Sequence, residues 1–151
     1  MAVRVTGFNH TSFTVRELDR VIGFFVAGLG FELQSRGPRD PALMRRMTGL
    51  DGVAVEIAFV VGPGGQRVEL IRYHAPADAE IVRPRLCDTG AAHIGFDVTD
   101  MDTALAAARA HGFPPVGEVI AIDAGPNKGR RVCYVRDADG LTVEFLEHAR
   151  A

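Results

Sequence analysis

Five residues carry the chemistry of this sequence: His10, Glu69, His93 and Glu144, which recur as two matched pairs, and Glu56, a carboxylate inside an apolar run. His10 opens His10-Thr11-Ser12-Phe13-Thr14-Val15 and His93 opens His93-Ile94-Gly95-Phe96-Asp97-Val98, each with Phe three residues on and Val two beyond. Glu69 in Val68-Glu69-Leu70 and Glu144 in Val143-Glu144-Phe145 then close the two halves. Self-similarity at a fixed offset marks a duplicated module. A carboxylate in an apolar strand is costly to bury unless a cation or several hydrogen bonds compensate it. If a pseudo-twofold axis brings the halves together, His10, Glu69, His93 and Glu144 meet at one point. Their two neutral imidazoles and two carboxylates neutralise one divalent ion.

Mixed nitrogen and oxygen ligands suit a six-coordinate first-row ion, Mn, Fe, Co, Ni or Zn, with two positions left for water or substrate. The expected partner is therefore a small-molecule substrate with two chelating oxygens, such as an α-hydroxyketone or a β-dicarbonyl. The expected chemistry is proton removal beside a carbonyl, with the ion stabilising the enolate. Glu56 lies in a strand that turns back into that of Glu69 and is the expected acid or base.

The elements that position these residues repeat in the same order. Residues 7–15 alternate like a half-buried strand with His10 on the polar face. Leu18, Val21, Ile22, Phe25 and Val26 recur at spacings of three and four, which predicts a helix ending at Gly28 and Gly30. A strand begins at Phe31. Residues 37–49, with two prolines and four charges, read as an irregular loop or short helix over the site. Residues 53–61 and 66–73 form a hairpin, and 75–89 are the linker. The second half follows with a strand over 91–98, a helix over 101–111, and strands near 119–122, 131–136 and 141–146. The expectation is an α+β fold: one domain over 1–151, built of paired βαβββ modules at 5–75 and 90–148, forming a curved mixed sheet around a metal site.

A net charge of −2 without a basic block gives no footprint for nucleic acid. No stretch is long and apolar enough for a membrane span and no leader is evident, so the expected location is the cytoplasm. Cys87 and Cys133 have neither zinc-site spacing nor disulfide density and are expected to be reduced and non-catalytic. His74, His111 and His148 do not repeat between halves and are expected to be solvated. Gly125-Pro126-Asn127-Lys128-Gly129 and Asp137-Ala138-Asp139-Gly140 read as turns.

The segments His10-Thr-Ser-Phe-Thr-Val, Leu29-Gly-Phe, Val68-Glu-Leu, His93-Ile-Gly-Phe-Asp-Val and Asp137-Ala-Asp-Gly-Leu-Thr-Val-Glu-Phe resemble the vicinal oxygen chelate superfamily. That superfamily includes glyoxalase I, methylmalonyl-CoA epimerase, extradiol dioxygenases and fosfomycin or bleomycin resistance proteins. The resemblance implies a metal held by His10, Glu69, His93 and Glu144, and a homodimer. Residues 52–58 resemble the stretch carrying a catalytic glutamate in methylmalonyl-CoA epimerases, which supports Glu56. The same resemblance suggests Glu144 as the second proton-transfer group. Shorter motifs, among them Val68-Glu-Leu-Ile-Arg-Tyr and Gly125-Pro-Asn-Lys-Gly, resemble cyclitol epimerases acting on epi-valiolone ketones. The leading expectation is a metal-dependent epimerase or isomerase. The alternatives are a glyoxalase-type lyase, an extradiol dioxygenase, against which the extra Glu69 argues, and a non-catalytic binding protein on the same fold.

Overall fold

The computed structural model describes residues 3–148. Its first half runs β1 (Thr11–Thr14), α1 (Leu18–Gly23), β2 (Glu32–Pro38), α2 (Pro41–Thr48), β3 (Ala54–Val61) and β4 (Arg67–Ala75). Its second runs β5 (Ile94–Val98), α3 (Met101–Ala110), β6 (Ile120–Ala121), β7 (Arg131–Arg136) and β8 (Thr142–Glu147). The strands form two sheets of the same topology, ordered β1-β4-β3-β2 and β5-β8-β7-β6. In each, the first strand runs parallel to the last and the other neighbours are antiparallel. This is the paired βαβββ, α+β architecture.

One face of each sheet is covered by its helix. Ala58, Val60, Val68 and Leu70 lie against α1, and Cys133, Val135, Val143 and Phe145 against α3, all within one continuous core. A single π-helical turn, Phe24–Gly28, extends α1 and lets the consecutive Phe24 and Phe25 both be fully buried. Phe24 stacks on Phe113 at 3.9 Å, while Phe25 and Phe31 meet Phe96 edge-on. His111 packs against Gly23 and Gly28, where an added Cβ would come within 3.5 and 3.3 Å of its ring. It serves the helix contact instead of being merely solvated. Arg16 pairs with Asp139 at 2.5 Å and Arg20 with the buried Asp137 at 2.8 Å, tying the halves together at a second point.

Because the helix faces share a core, the opposite faces of the two sheets point outward. The segment before β3 contains a defined helix. Asp40 caps α2 by accepting from the Ala42 N–H at 2.9 Å, Pro41 sits in its first turn, and Gly49 ends it with φ +74. Through Met44, α2 covers Val53, Val55 and Ile57, with Phe59, Ile71 and Tyr73 packed beside them on the outer face of the first sheet. No helix among the described residues is long and apolar enough to cross a membrane.

Candidate metal and substrate site

Each histidine is the last residue before the first strand of its sheet, and parallel pairing with the last strand carries it to a glutamate. The β1–β4 register sets Ser12 opposite Glu69, and the β5–β8 register sets Gly95 opposite Glu144. Two residues back, His10 Nε2 lies 3.5 Å from Glu69 Oε2, and His93 Nε2 lies 3.3 Å from Glu144 Oε2. His10 Nδ1 is 2.7 Å from Asn9 Oδ1, which accepts its proton. With Nδ1 turned to Asn9, Nε2 is the ring atom that faces the carboxylate, so a cation between the two would be held by both. Donors about 2.0–2.2 Å from one ion stand roughly 3 Å apart, so both pairs fit two ligands of a shared metal.

The four residues do not converge within one chain. Among the described residues no group of three or more His, Cys, Asp or Glu could hold a metal. The structure has instead two equivalent half-sites, His10–Glu69 and His93–Glu144, on sheet faces that the common core directs apart.

Glu56 requires a correction. Along β3 and β4, Phe59 pairs with Glu69 while Glu56 pairs with Arg72, and strand alternation puts Glu56 on the face of Ala58 and Val60. Its Oε1 accepts from Arg36 Nε at 2.7 Å, and Arg36 also binds Asp19 in the first turn of α1. The Arg36 hydrogen bond holds the Glu56 carboxyl below its ordinary value. Glu56 thus lies on the helix side of the sheet, away from Glu69, and is removed from the proton-transfer role.

The outer faces hold a residue that the sequence reading passed over. Tyr134 pairs with Glu144 across β7 and β8 and meets His93 edge-on at 5.1 Å. Burial raises its phenol above the ordinary value, and a hydrogen bond to Glu144 and that carboxylate's charge add to the effect. Phe59 holds the equivalent place, opposite Glu69 and edge-on to His10 at 5.9 Å. The C-terminal carboxylate therefore has a hydroxyl donor where the N-terminal one has an apolar ring. Lys128 and its loop form a hairpin connection closed by Gly129 N–H to Ile122 O at 2.8 Å. Of the cysteines, Cys87 is exposed and Cys133 buried, both unpaired.

Residues 9–134 match the model of the glyoxalase/bleomycin resistance protein/dioxygenase superfamily, and the chain belongs to that superfamily. It is 33% identical over 143 residues to the 2-epi-5-epi-valiolone epimerase of an Actinomyces species, covering 91% of this chain and 77% of that protein. A glyoxalase family protein from Bacillus cereus superposes with a TM-score of 0.82 at 31% identity, covering 96% of this chain and 95% of its own. The fosfomycin resistance protein FosX of Listeria monocytogenes, in a structure complexed with Mn(II) and sulfate, shares the fold. Its TM-score is 0.63 at 14% identity, over 96% of this chain and 94% of that one.

Proposed function

We propose that the chain is a divalent-metal-dependent epimerase of an α-hydroxyketone, working as a homodimer in which the outer face of one copy's N-terminal half meets that of the other copy's C-terminal half. The observation that carries this reading is the pair of equivalent contacts, His10–Glu69 and His93–Glu144, on faces that a single chain holds apart. A twofold dimer closes two such sites at once, because the same contact is repeated by symmetry. His10 and Glu69 of one copy, with His93 and Glu144 of the other, would hold the ion. The ion is Mn, Co, Ni, Zn or Fe, as the mixed donors allow. Similarity to an epimerase over 91% of the chain supports the reaction class.

When bound, the ion supplies Lewis acidity to two neighbouring substrate oxygens and lowers the cost of taking a proton from the adjoining carbon. With Glu56 on the other face of its sheet, the proton-transfer groups are Glu144 and Glu69. Glu144 would take the proton from one face of the carbon, and Glu69, after taking up a proton from solvent, would return it to the opposite face, which inverts the centre, while Glu144 gives its proton to solvent. One proton leaves carbon and one arrives, so no redox partner is consumed. Tyr134, opposite Glu144 across β7 and β8, would orient that carboxylate through its phenol, while Phe59, Ile71 and Tyr73 give the opposite wall an apolar surface that limits water.

The test is proton exchange in D2O, followed by NMR, with 2-epi-5-epi-valiolone as substrate. The expected result is loss of the signal from the proton beside the carbonyl, abolished by chelation and by Glu144→Gln. Exchange that survives both treatments overturns the reading.

A further inference from the structure

The outer faces carry one more matched feature. Two rungs toward the hairpin turn from Phe59–Glu69 stands the pair Val61–Arg67, and two rungs from Tyr134–Glu144 stands Arg136–Thr142. Each half thus offers one arginine at the same rung, from opposite strands, on the face of its His–Glu pair. Arg67 lies over the Phe59 ring at 4.9 Å and donates to Gln34 Oε1 at 3.1 Å. Its Nε is buried without a hydrogen-bond partner among the described residues. Arg136 Nε donates to Thr142 Oγ1 at 2.8 Å. Both guanidiniums are therefore held by neutral acceptors, whereas Arg36, Arg130 and Arg131 are anchored by carboxylates. Glu32, one strand further along the Arg67 rung, is not among the ion pairs of the described residues.

Half-buried cations without acidic partners are costly unless a ligand supplies the counter-charge. In the closed site the two carboxylates balance a divalent ion and neutral imidazoles add nothing, so the two arginines leave a surplus of about two positive charges. A phosphate monoester carries about −1.5 to −2 at pH 7 and presents oxygens to the guanidinium fork. We propose that Arg67 and Arg136 form a phosphate-recognising subsite beside the metal site, so that an α-hydroxyketone carrying a phosphate is bound in preference to a neutral one. This inference rests on the pairing of half-sites and the bound ion proposed above, since the surplus charge exists while the ion balances the two carboxylates; the guanidinium forks remain in the metal-free protein, where a weaker preference is expected.

The experiment is calorimetric titration of dihydroxyacetone phosphate and of dihydroxyacetone into the native protein, Arg67→Gln and Arg136→Gln, each metal-loaded and chelator-treated. The phosphate ester is expected to bind the native protein at least about tenfold more tightly than the neutral ketone, as charge-assisted hydrogen bonds warrant. Each substitution should remove most of that preference while metal content and dimer mass stay constant. Equal affinities in the native protein, a preference unchanged in both variants, or one lost only in variants that have become monomeric would each overturn the subsite. Protein that binds no metal yet keeps the arginine-dependent preference sinks the metal chemistry and leaves the phosphate subsite standing. Metal-loaded protein with no preference does the reverse.

Discussion

Tyr134→Phe deletes one hydroxyl and leaves the ring that meets His93 edge-on at 5.1 Å, so it isolates what the phenol hydroxyl opposite Glu144 contributes. A hydrogen bond to a charged acceptor is worth about 1.5–3 kcal/mol, and loss of such a partner to a metal ligand typically costs about 10–100-fold in metal affinity. The expected outcome is an Mn(II) affinity lowered within that range, measured by competition with a chelating dye. Urea unfolding of the metal-free protein serves as the control for simple destabilisation. The phenol is raised above its ordinary value of 10.0, first by burial and then by Glu144, so it remains a donor across the neutral range. The affinity gap between the native protein and Tyr134→Phe should therefore stay constant between about pH 6 and 9. Phe59→Tyr, which offers Glu69 the hydroxyl it lacks, should bind Mn(II) at least as tightly as the native chain. An affinity of Tyr134→Phe within about twofold of native would refute the argument that this hydroxyl orients a ligand.

Glu56→Gln should retain proton exchange, because the side chain lies on the helix face with Arg36; loss of exchange with metal content intact would restore Glu56 to the mechanism. The Glu56 carboxyl is depressed below 4.5 in the fold, so its stabilising effect is present above that pH and is lost as pH falls through the folded value. The difference in Tm between native protein and Glu56→Gln should accordingly shrink in acid, and a difference that grows there contradicts the pairing. Phe113→Ala removes a fully buried ring stacked on Phe24 and should cost about 3–5 kcal/mol in urea unfolding. A loss below about 1 kcal/mol would show that the halves do not depend on this contact.

The paired modules were legible because His10 and His93 each begin the same short strand pattern and each half closes on Val-Glu, a repetition that chance composition does not produce. The two-residue half-sites followed from that repetition. Glu56 misled because strand alternation gives two faces without saying which one a helix covers. Only the register of Phe59 with Glu69 and the packing of Ala58 and Val60 put Glu56 on the covered side. Tyr134 had a signal that went unused: it stands ten residues before Glu144, as Phe59 stands ten before Glu69. The prolines and charges of 37–49 left an irregular loop and a short helix both open; the structure has the short helix, with Asp40-Pro41 and Gly49 as its start and stop residues. That the outer faces diverge within one chain was beyond the sequence, since it depends on Phe24 and Phe113 stacking across the halves.

The central claim, one site built from two copies, is tested most directly by complementation. One variant carries His10→Ala with Glu69→Ala, the other His93→Ala with Glu144→Ala. Each alone should bind no metal and catalyse no exchange. After the two are unfolded and refolded together, half of randomly paired dimers are mixed and each mixed dimer holds one intact site of two. Metal content and exchange rate should then recover to about a quarter of the native values. No recovery, in a mixture shown to contain mixed dimers, would contradict the account.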